Sequence, residues 1–374
     1  MSRIRIIYYS DAPCYGGAEY YLNVLATGLP RERFDVRVIL RPLDTLDPLR
    51  RPLLESGVQV FEPPEPCFPN PAHWMSVYRY LRDSGADVFH LNLPGPYDGR
   101  MGSIAVLAKM AGVRVVTTEH LPMFKGPWRC QMAKRLSRSS VDLVITVSDT
   151  NVTCLERIHG IRGPGVHRVY NGVDLSVYNP NGDREGAREA LGLTGEEKAV
   201  AIIGRLDPQK GHAMFLEAAE RVSRAVPAAR FLIIGEGGLK DDLQRAAGER
   251  GLASAVRFLG YRDDVPAILQ AIDVVVFTSR QEGMPFALLE ALAMERPVVA
   301  TNVHGLSEII RDGETGRLVE PGASEAAAEA IVELLEFPDK ARALGKRGRE
   351  RVVSEFDRNT MIRRTVDLYE SLVD

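Results

Sequence analysis

The sequence predicts an α/β protein built from two doubly wound parallel-sheet domains. Three observations carry that expectation. Apolar runs of strand length alternate with helical patterns along nearly all of the 374 residues. Many of these runs are rich in valine and isoleucine and apolar on both faces, as strands buried between two helical layers must be. The chain is also too long for one ordinary hydrophobic core.

In the first half, strands are expected at 3–9, 36–40, 58–61, 87–92, 113–119, 143–148 and 166–170. Helical patterns fall between them at 18–29, 72–82, 99–111, 129–139 and 150–159. In the first of these, Ala18, Tyr21, Leu22, Leu25 and Leu29 share one face. The second half repeats the plan, with strands at 199–204, 230–235, 256–260, 273–279, 297–301 and 317–321. Its helices are expected at 211–225, 239–250, 263–271, 286–295, 305–311 and 324–336. Strand–helix alternation of this kind builds a parallel sheet with helices on both faces. A Gly-, Pro- and Asn-rich stretch over 160–196 separates the two blocks. The expected domains are 1–170 and 171–355, followed by a C-terminal helix over 356–374. That helix, with Phe356, Met361, Ile362, Val366, Leu368 and Tyr369, either crosses back to the first domain or caps the second.

Composition narrows the class. A chain that is 45% hydrophobic and 26% charged is not intrinsically disordered. Cys14, Cys67, Cys130 and Cys154 lie far apart with no CxxC pair, which argues against a disulfide framework or structural zinc and for a reducing compartment. No run of about 18 uncharged apolar residues is present. The N-terminus reads as a first strand rather than a signal peptide, so a cytoplasmic location is expected. Residues 1–170 carry 21 Lys and Arg against 16 Asp and Glu, while residues 171–374 carry 26 against 34. Two readings fit this asymmetry: a basic half that meets anionic lipid or an anionic acceptor, or ordinary scattered surface charge. No basic stripe interleaved with aromatics points to nucleic acid.

Ligands of doubly wound sheets bind at the carboxyl ends of strands, so the loops there matter most. The GxGxxG dinucleotide fingerprint is absent after the first strand, and Gly235-Glu-Gly-Gly238 lacks its third glycine, which disfavours a nicotinamide-dependent oxidoreductase. After the first strand, Gly16 and Gly17 precede a helix, where backbone can approach an anion closely. Gly204-Arg-Leu-Asp-Pro-Gln-Lys-Gly211 follows a buried strand and sets Arg205 and Lys210 in a strand–helix loop. Arginine as a planar fork and lysine as a point charge suit a diphosphate. Glu282-Gly-Met-Pro-Phe-Ala-Leu-Leu-Glu290 follows another buried strand, with Pro285 expected at the first helical position. Its two carboxylates suit hydroxyl-rich ligands, because each oxygen accepts from a sugar or ribose O–H. The alternative is a pair of exposed surface glutamates.

Taken in order, GGAE at 16–19, NGVD at 171–174, GRLDPQKG at 204–211, GEG at 235–237, the Glu282/Glu290 pair and DGETGRLV at 312–319 resemble family 4 of the retaining glycosyltransferases. The resemblance spans nearly the whole chain. It implies the GT-B fold: two facing Rossmann-like domains with a cleft between them, the second binding a nucleotide-activated sugar and the first most of the acceptor. By resemblance Arg205 and Lys210 match the diphosphate-binding pair, Glu282 the carboxylate on the sugar hydroxyls, and Glu290 the carboxylate on the ribose. Gly16 and Gly17 match the loop near the donor phosphate and the acceptor, and His120 the histidine that contacts the donor sugar. Gly204, Gly235, Gly283, Met284, Pro285 and Phe286 fall along the donor site, and Arg262 near the base. Tyr15, Tyr97, Phe124 and Asn171 are candidates on the acceptor side.

The implied reaction moves a sugar from a nucleotide-diphosphate sugar, UDP favoured, to a hydroxyl acceptor in cell-envelope polysaccharide, glycolipid or glycoconjugate synthesis. The nucleotide sugar is a co-substrate and no other cofactor is expected. No DxD motif occurs anywhere in the chain, so protein-borne cations in place of a metal are expected to neutralise the leaving group. Peripheral contact of the first domain with the inner face of the plasma membrane is left open. So are a GDP-mannose donor, a small-metabolite acceptor, an epimerase or phosphorylase on the same fold, and a non-catalytic sugar-nucleotide binding protein. The last would be expected to have lost Arg205, Lys210 or Glu282, and all three are present.

Overall fold

The computed structural model describes residues 3–64, 70–93, 99–122, 128, 132, 135–136, 138–161 and 165–373. The chain divides into two compact units, Met1–Tyr170 with Thr360–Asp374, and Asn171–Asn359. The predicted positions Tyr97 and Phe124 lie outside the described residues, as does most of the helical pattern at 129–139.

The first unit holds seven strands: β1 (Ile4–Tyr9), β2 (Phe34–Ile39), β3 (Gln59–Phe61), β4 (Val88–Leu93), β5 (Arg114–Glu119), β6 (Leu143–Thr146) and β7 (Val166–Arg168). Their spatial order is β3-β2-β1-β4-β5-β6-β7, every neighbour parallel. β4 is buried at all six positions, as its VFHLNL sequence requires of a central parallel strand. Ile7, Tyr9, Phe89, Leu91 and Val115 form one core with Val77 and Leu81 of the helix Pro71–Ser84.

The second unit holds β8 (Lys198–Ile203), β9 (Ala229–Ile234), β10 (Val256–Gly260), β11 (Val274–Phe277), β12 (Val298–Thr301) and β13 (Arg317–Val319). Here the order is β10-β9-β8-β11-β12-β13, again all parallel. The helix His212–Ala225 buries Phe215, Leu216 and Val222 against Val200, Phe231 and Ile233.

Among the described residues, two helices fall where no helix was expected. Asp47–Glu55 carries Pro48 at its start and Pro52 inside, which hides its periodicity, yet Leu49 and Leu53 are fully buried. Arg184–Ala190 lies in the Gly-rich separator and is nucleated by Asp183, whose carboxylate accepts from the Gly186 N–H.

The final helix, Arg358–Val373, carries Tyr369 into the interior of the first unit. The Tyr369 hydroxyl pairs with Tyr8 Oη at 2.8 Å and with His90 Nδ1, while His90 Nε2 pairs with Thr118 Oγ1 at 2.7 Å. Burial pushes the Tyr8 and Tyr369 hydroxyls well above their usual range and pushes His90 down to about 3, so the cluster stays neutral. Replacing Tyr369 by Phe strands a buried His90 nitrogen. We expect the variant to lose about 1–3 kcal/mol of stability, read as a lower urea midpoint with an unchanged slope.

Candidate active site

The second sheet reverses its winding between β8 and β11: from β8 the chain runs out through β9 to β10, then returns to the opposite flank for β11 to β13. Loops leaving the carboxyl ends of strands at such a reversal diverge and leave a crevice. The loop after β8 carries Arg205 and Lys210, and the loop after β11 carries Glu282. The fold therefore gathers the three most telling sequence candidates at one place in this unit.

They do not stand as independent groups. Lys210 Nζ lies 2.6 Å from Glu282 Oε1, and the same oxygen accepts from Ser279 Oγ at 2.7 Å. Glu282 is 4% exposed, so it is no surface glutamate. Arg205 is about half exposed and pairs with Asp207 at 3.0 Å. The other Asp207 oxygen accepts from the Gln209 and Lys210 N–H groups, capping the 3-10 turn Pro208–Lys210 that aims the lysine.

The two loops are fastened to each other. Gln209 Nε2 donates to the Gln281 carbonyl, the Arg280 N–H to the Gln209 carbonyl, and Thr278 Oγ1 to the Lys210 carbonyl. Gly211 has φ +68°, and a Cβ there would lie 2.0 Å from the Thr278 carbonyl oxygen, so only glycine lets the loops approach this closely. Gly235, at φ +135°, meets the Gly204 carbonyl in the same way. The aliphatic stem of Lys210 crosses Gly204.

Beyond Glu282, the chain turns into the helix Phe286–Ala293. Pro285 is its N-cap, in extended conformation, rather than its first helical residue, because its ψ of 128° is not helical. Met284 and Phe286 are buried in the core. Asn171 is also buried, and its side-chain amide donates to the Met284 carbonyl at 2.6 Å, fixing the loop that bears Glu282 and Gly283. Gly305 abuts the Gly283 carbonyl. Glu290 is buried on this helix, and desolvation raises its carboxyl to about 7 despite a hydrogen bond from Tyr178. Arg262, in the loop after β10, forms a two-pronged pair with Asp264.

The first unit has its own reversal, between β1 and β4. The loop after β1 carries Tyr15, whose N–H donates to the Thr45 carbonyl. Gly16 caps the helix Gly17–Gly28, and a side chain at Gly17 would meet no neighbouring atom within 4 Å. His120, directly after β5, is buried, and desolvation pushes its imidazole down to about 3. Its Nε2 lies 2.9 Å from Asn92 Oδ1, and its ring packs edge-on to Tyr21.

Sequence reading passed over Ser279, Asp207, Asn92 and Tyr178. Ser279 stands three residues before Glu282, a spacing at which a hydroxyl reaches a carboxylate, and that signal was available. Tyr178 and Asn92 meet their partners only through tertiary structure. Among the described residues no three His, Cys, Asp or Glu side chains cluster so as to hold a metal ion, and no helix is long and apolar enough to cross a membrane.

Residues 183–351 match the family model for glycosyl transferases group 1, and residues 15–177 that for glycosyltransferase family 4. The chain belongs to this glycosyltransferase family. Over 390 aligned positions it is 27% identical to an Escherichia coli UDP-Gal:alpha-D-GlcNAc-diphosphoundecaprenol alpha-1,3-galactosyltransferase, covering 100% of this chain and 98% of that one. Over 201 positions it is 37% identical to the D-inositol 3-phosphate glycosyltransferase of Mycobacterium marinum, covering 52% of this chain and 42% of the relative. Among solved structures, Anabaena HepE in complex with UDP and glucose superposes with a TM-score of 0.85 at 23% identity, over 99% of this chain and 100% of that one. Two Rossmann-like parallel-sheet units of seven and six strands are the architecture of such GT-B glycosyltransferases.

Two outcomes follow from these electrostatics. Removing either partner of the Lys210–Glu282 pair leaves a poorly hydrated charge. Lys210→Met and Glu282→Gln should each cost about 2–4 kcal/mol, and the double variant clearly less than their sum, in a denaturant double-mutant cycle. For Glu290, the folded enzyme holds its proton up to about pH 7, whereas an unfolded glutamate releases it near 4.5. Its contribution is therefore fully present below about 4.5 and is lost as pH rises through 7, by about 3 kcal/mol. Thermal unfolding of Glu290→Gln against the parent should show an advantage for the variant that is small at pH 5, grows up to about pH 7 and levels off above it.

Proposed function

We propose that this glycosyltransferase moves a hexose from a UDP-sugar to a hydroxyl acceptor, with retention of configuration and with protein cations in place of a metal ion. The observation that carries the reading is the Lys210–Glu282 pair beside Arg205 at the β8/β11 reversal. It sets two cations and a carboxylate where a diphosphate and a polyol would need them. An arriving diphosphate draws the Lys210 ammonium from Glu282 and the Arg205 guanidinium from Asp207. Glu282, still held by Ser279, turns its freed lone pairs to sugar hydroxyls. Glu290 takes the ribose hydroxyls.

In the transfer, the acceptor oxygen bonds to the anomeric carbon as the bond from that carbon to the β-phosphate oxygen breaks. The departing oxygen takes the acceptor's proton, so products are the glycoside and the nucleoside diphosphate. Charge developing on the diphosphate is met by fixed positive groups, which cost no reorganisation at that moment. Glu282 engages Lys210 and Ser279, which suits a binding role better than a nucleophile's; a glycosyl adduct trapped on Glu282 would overturn this assignment. The open space at Gly17 gives the first unit a backbone free to meet a ligand.

The donor choice is supported by the UDP-Gal specificity in the Escherichia coli relative's name and by UDP in the Anabaena structure. The lipid-linked acceptor in that same name supports a polyprenol-diphosphate sugar as acceptor, in cell-envelope glycan or glycolipid synthesis. Peripheral membrane contact fits that acceptor. Residues 1–170 hold the excess of basic residues, and Val106, Met110, Trp128, Met132 and Leu136 are exposed apolar side chains there.

The test is nucleotide release from UDP-, GDP-, ADP- and TDP-sugars in EDTA, with polyprenol-diphosphate N-acetylglucosamine as acceptor. A UDP-hexose should be used without added metal, and NMR of the product should show the donor's anomeric configuration. Arg205→Ala should reduce turnover roughly a hundredfold, about 3 kcal/mol. A strict Mg²⁺ or Mn²⁺ requirement, or full activity in Arg205→Ala, contradicts the reading.

A further inference from the structure

We propose that Asn92 is a positioning residue that locks His120 in its Nε2–H tautomer and so makes Nδ1 an acceptor reserved for a ligand hydroxyl. The tautomer stands on the geometry of the first unit alone; only the identity of the ligand rests on the glycosyltransfer reading.

Asn92 sits near the end of β4 and is 1% exposed. Its Nδ2 donates to the Ala18 carbonyl at 3.0 Å, in the first turn of the helix Gly17–Gly28. A carbonyl only accepts, so the amide cannot be turned round. Oδ1 is therefore the atom that faces His120 Nε2, at 2.9 Å. Because Oδ1 also only accepts, Nε2 must carry the hydrogen. Burial keeps the imidazole neutral near pH 7, and a neutral ring has a single N–H. Nδ1 is left with a bare lone pair and makes no hydrogen bond among the described residues.

The ring plane is fixed as well. His120 meets Tyr21 edge to face, 4.8 Å between centroids at 78°, and the Tyr21 hydroxyl pairs with Thr118 Oγ1 at 3.4 Å. Thr118 in turn pairs with His90, which Tyr369 holds from the last helix. His90, which His120 influences electrostatically, is itself held neutral by burial.

A bare lone pair attracts an O–H and repels a phosphate oxygen. His120 thus takes a hydroxyl, of the donor sugar or of the acceptor, and contributes nothing to holding the diphosphate.

The experiment is tautomer-resolved ¹H–¹⁵N spectroscopy of the full chain with ¹⁵N-labelled histidine, His120 being assigned by loss of its signals in His120→Gln. The parent should show His120 as Nε2–H from pH 5 to 8. In Asn92→Leu a substantial Nδ1–H population should appear while the other six histidines keep their shifts. Nδ1–H or imidazolium in the parent at pH 7, or an unchanged tautomer in Asn92→Leu, overturns the proposal. The parent spectrum decides the tautomer even if the leucine variant fails to fold, and Asn92→Ala repeats the comparison with a smaller side chain. Kinetically, Asn92→Leu should lose about tenfold in kcat/KM, the worth of one hydrogen bond. A donor KM that carries the change assigns the hydroxyl to the donor sugar, and an acceptor KM assigns it to the acceptor. An unchanged kcat/KM with both substrates contradicts the role. If no donor is turned over, the glycosyltransfer reading falls while the spectra still test Asn92.

Discussion

A lysine ammonium and a glutamate carboxylate are held together, largely out of water, where two parallel strands part. Each charge alone would be costly in that place, and each makes the other tolerable. The surroundings serve this pair. Asp207 caps the turn that aims Lys210, Ser279 occupies a lone pair of Glu282, and three further hydrogen bonds tie their loops together. Gly211 permits the close backbone contact that such tying needs. The result is a cluster whose charges are neutralised internally, and a ligand that binds there must match their pattern. A nucleotide sugar has that pattern, with oxyanions at one end and hydroxyls at the other.

The two units handle polarity in different ways. In the loops after β8, β10 and β11 the second holds full charges in pairs: Lys210 with Glu282, Arg205 with Asp207, Arg262 with Asp264. The first gathers a neutral cluster of rings, as His90, His120, Tyr8, Tyr21 and Tyr369 are joined or packed together with their titrations moved away from neutrality by burial. Charged pairs suit the task of stabilising charge that develops during reaction. Neutral donors and acceptors suit recognition of hydroxyls, where direction matters more than field strength.

The fold was legible because buried parallel strands announce themselves locally. VFHLNL and VVVF can hardly be anything else, and each strand was placed to within two or three residues. Proline concealed the helix Asp47–Glu55, since its stabilisation comes from Leu49 and Leu53 in the core rather than from its own sequence. Arg205, Lys210 and Glu282 stood out because charge in a loop after a buried strand is conspicuous. Their pairing did not, because Lys210 and Glu282 are 72 positions apart and each reads as an independent ligand group. Met284 and Phe286 lie next to Glu282 in sequence and are buried beside it, which composition alone does not reveal. Asn171 is of the same kind, a loop residue by composition and a buried support for the Met284 carbonyl in space.

The most direct measurement is a crystal structure of the enzyme with UDP bound in the presence of EDTA. Lys210 Nζ is expected to move from Glu282 to a phosphate oxygen at about 3 Å, with the Arg205 guanidinium on the same diphosphate. Phosphates bound elsewhere, with the Lys210–Glu282 contact intact and Arg205 still on Asp207, would contradict it.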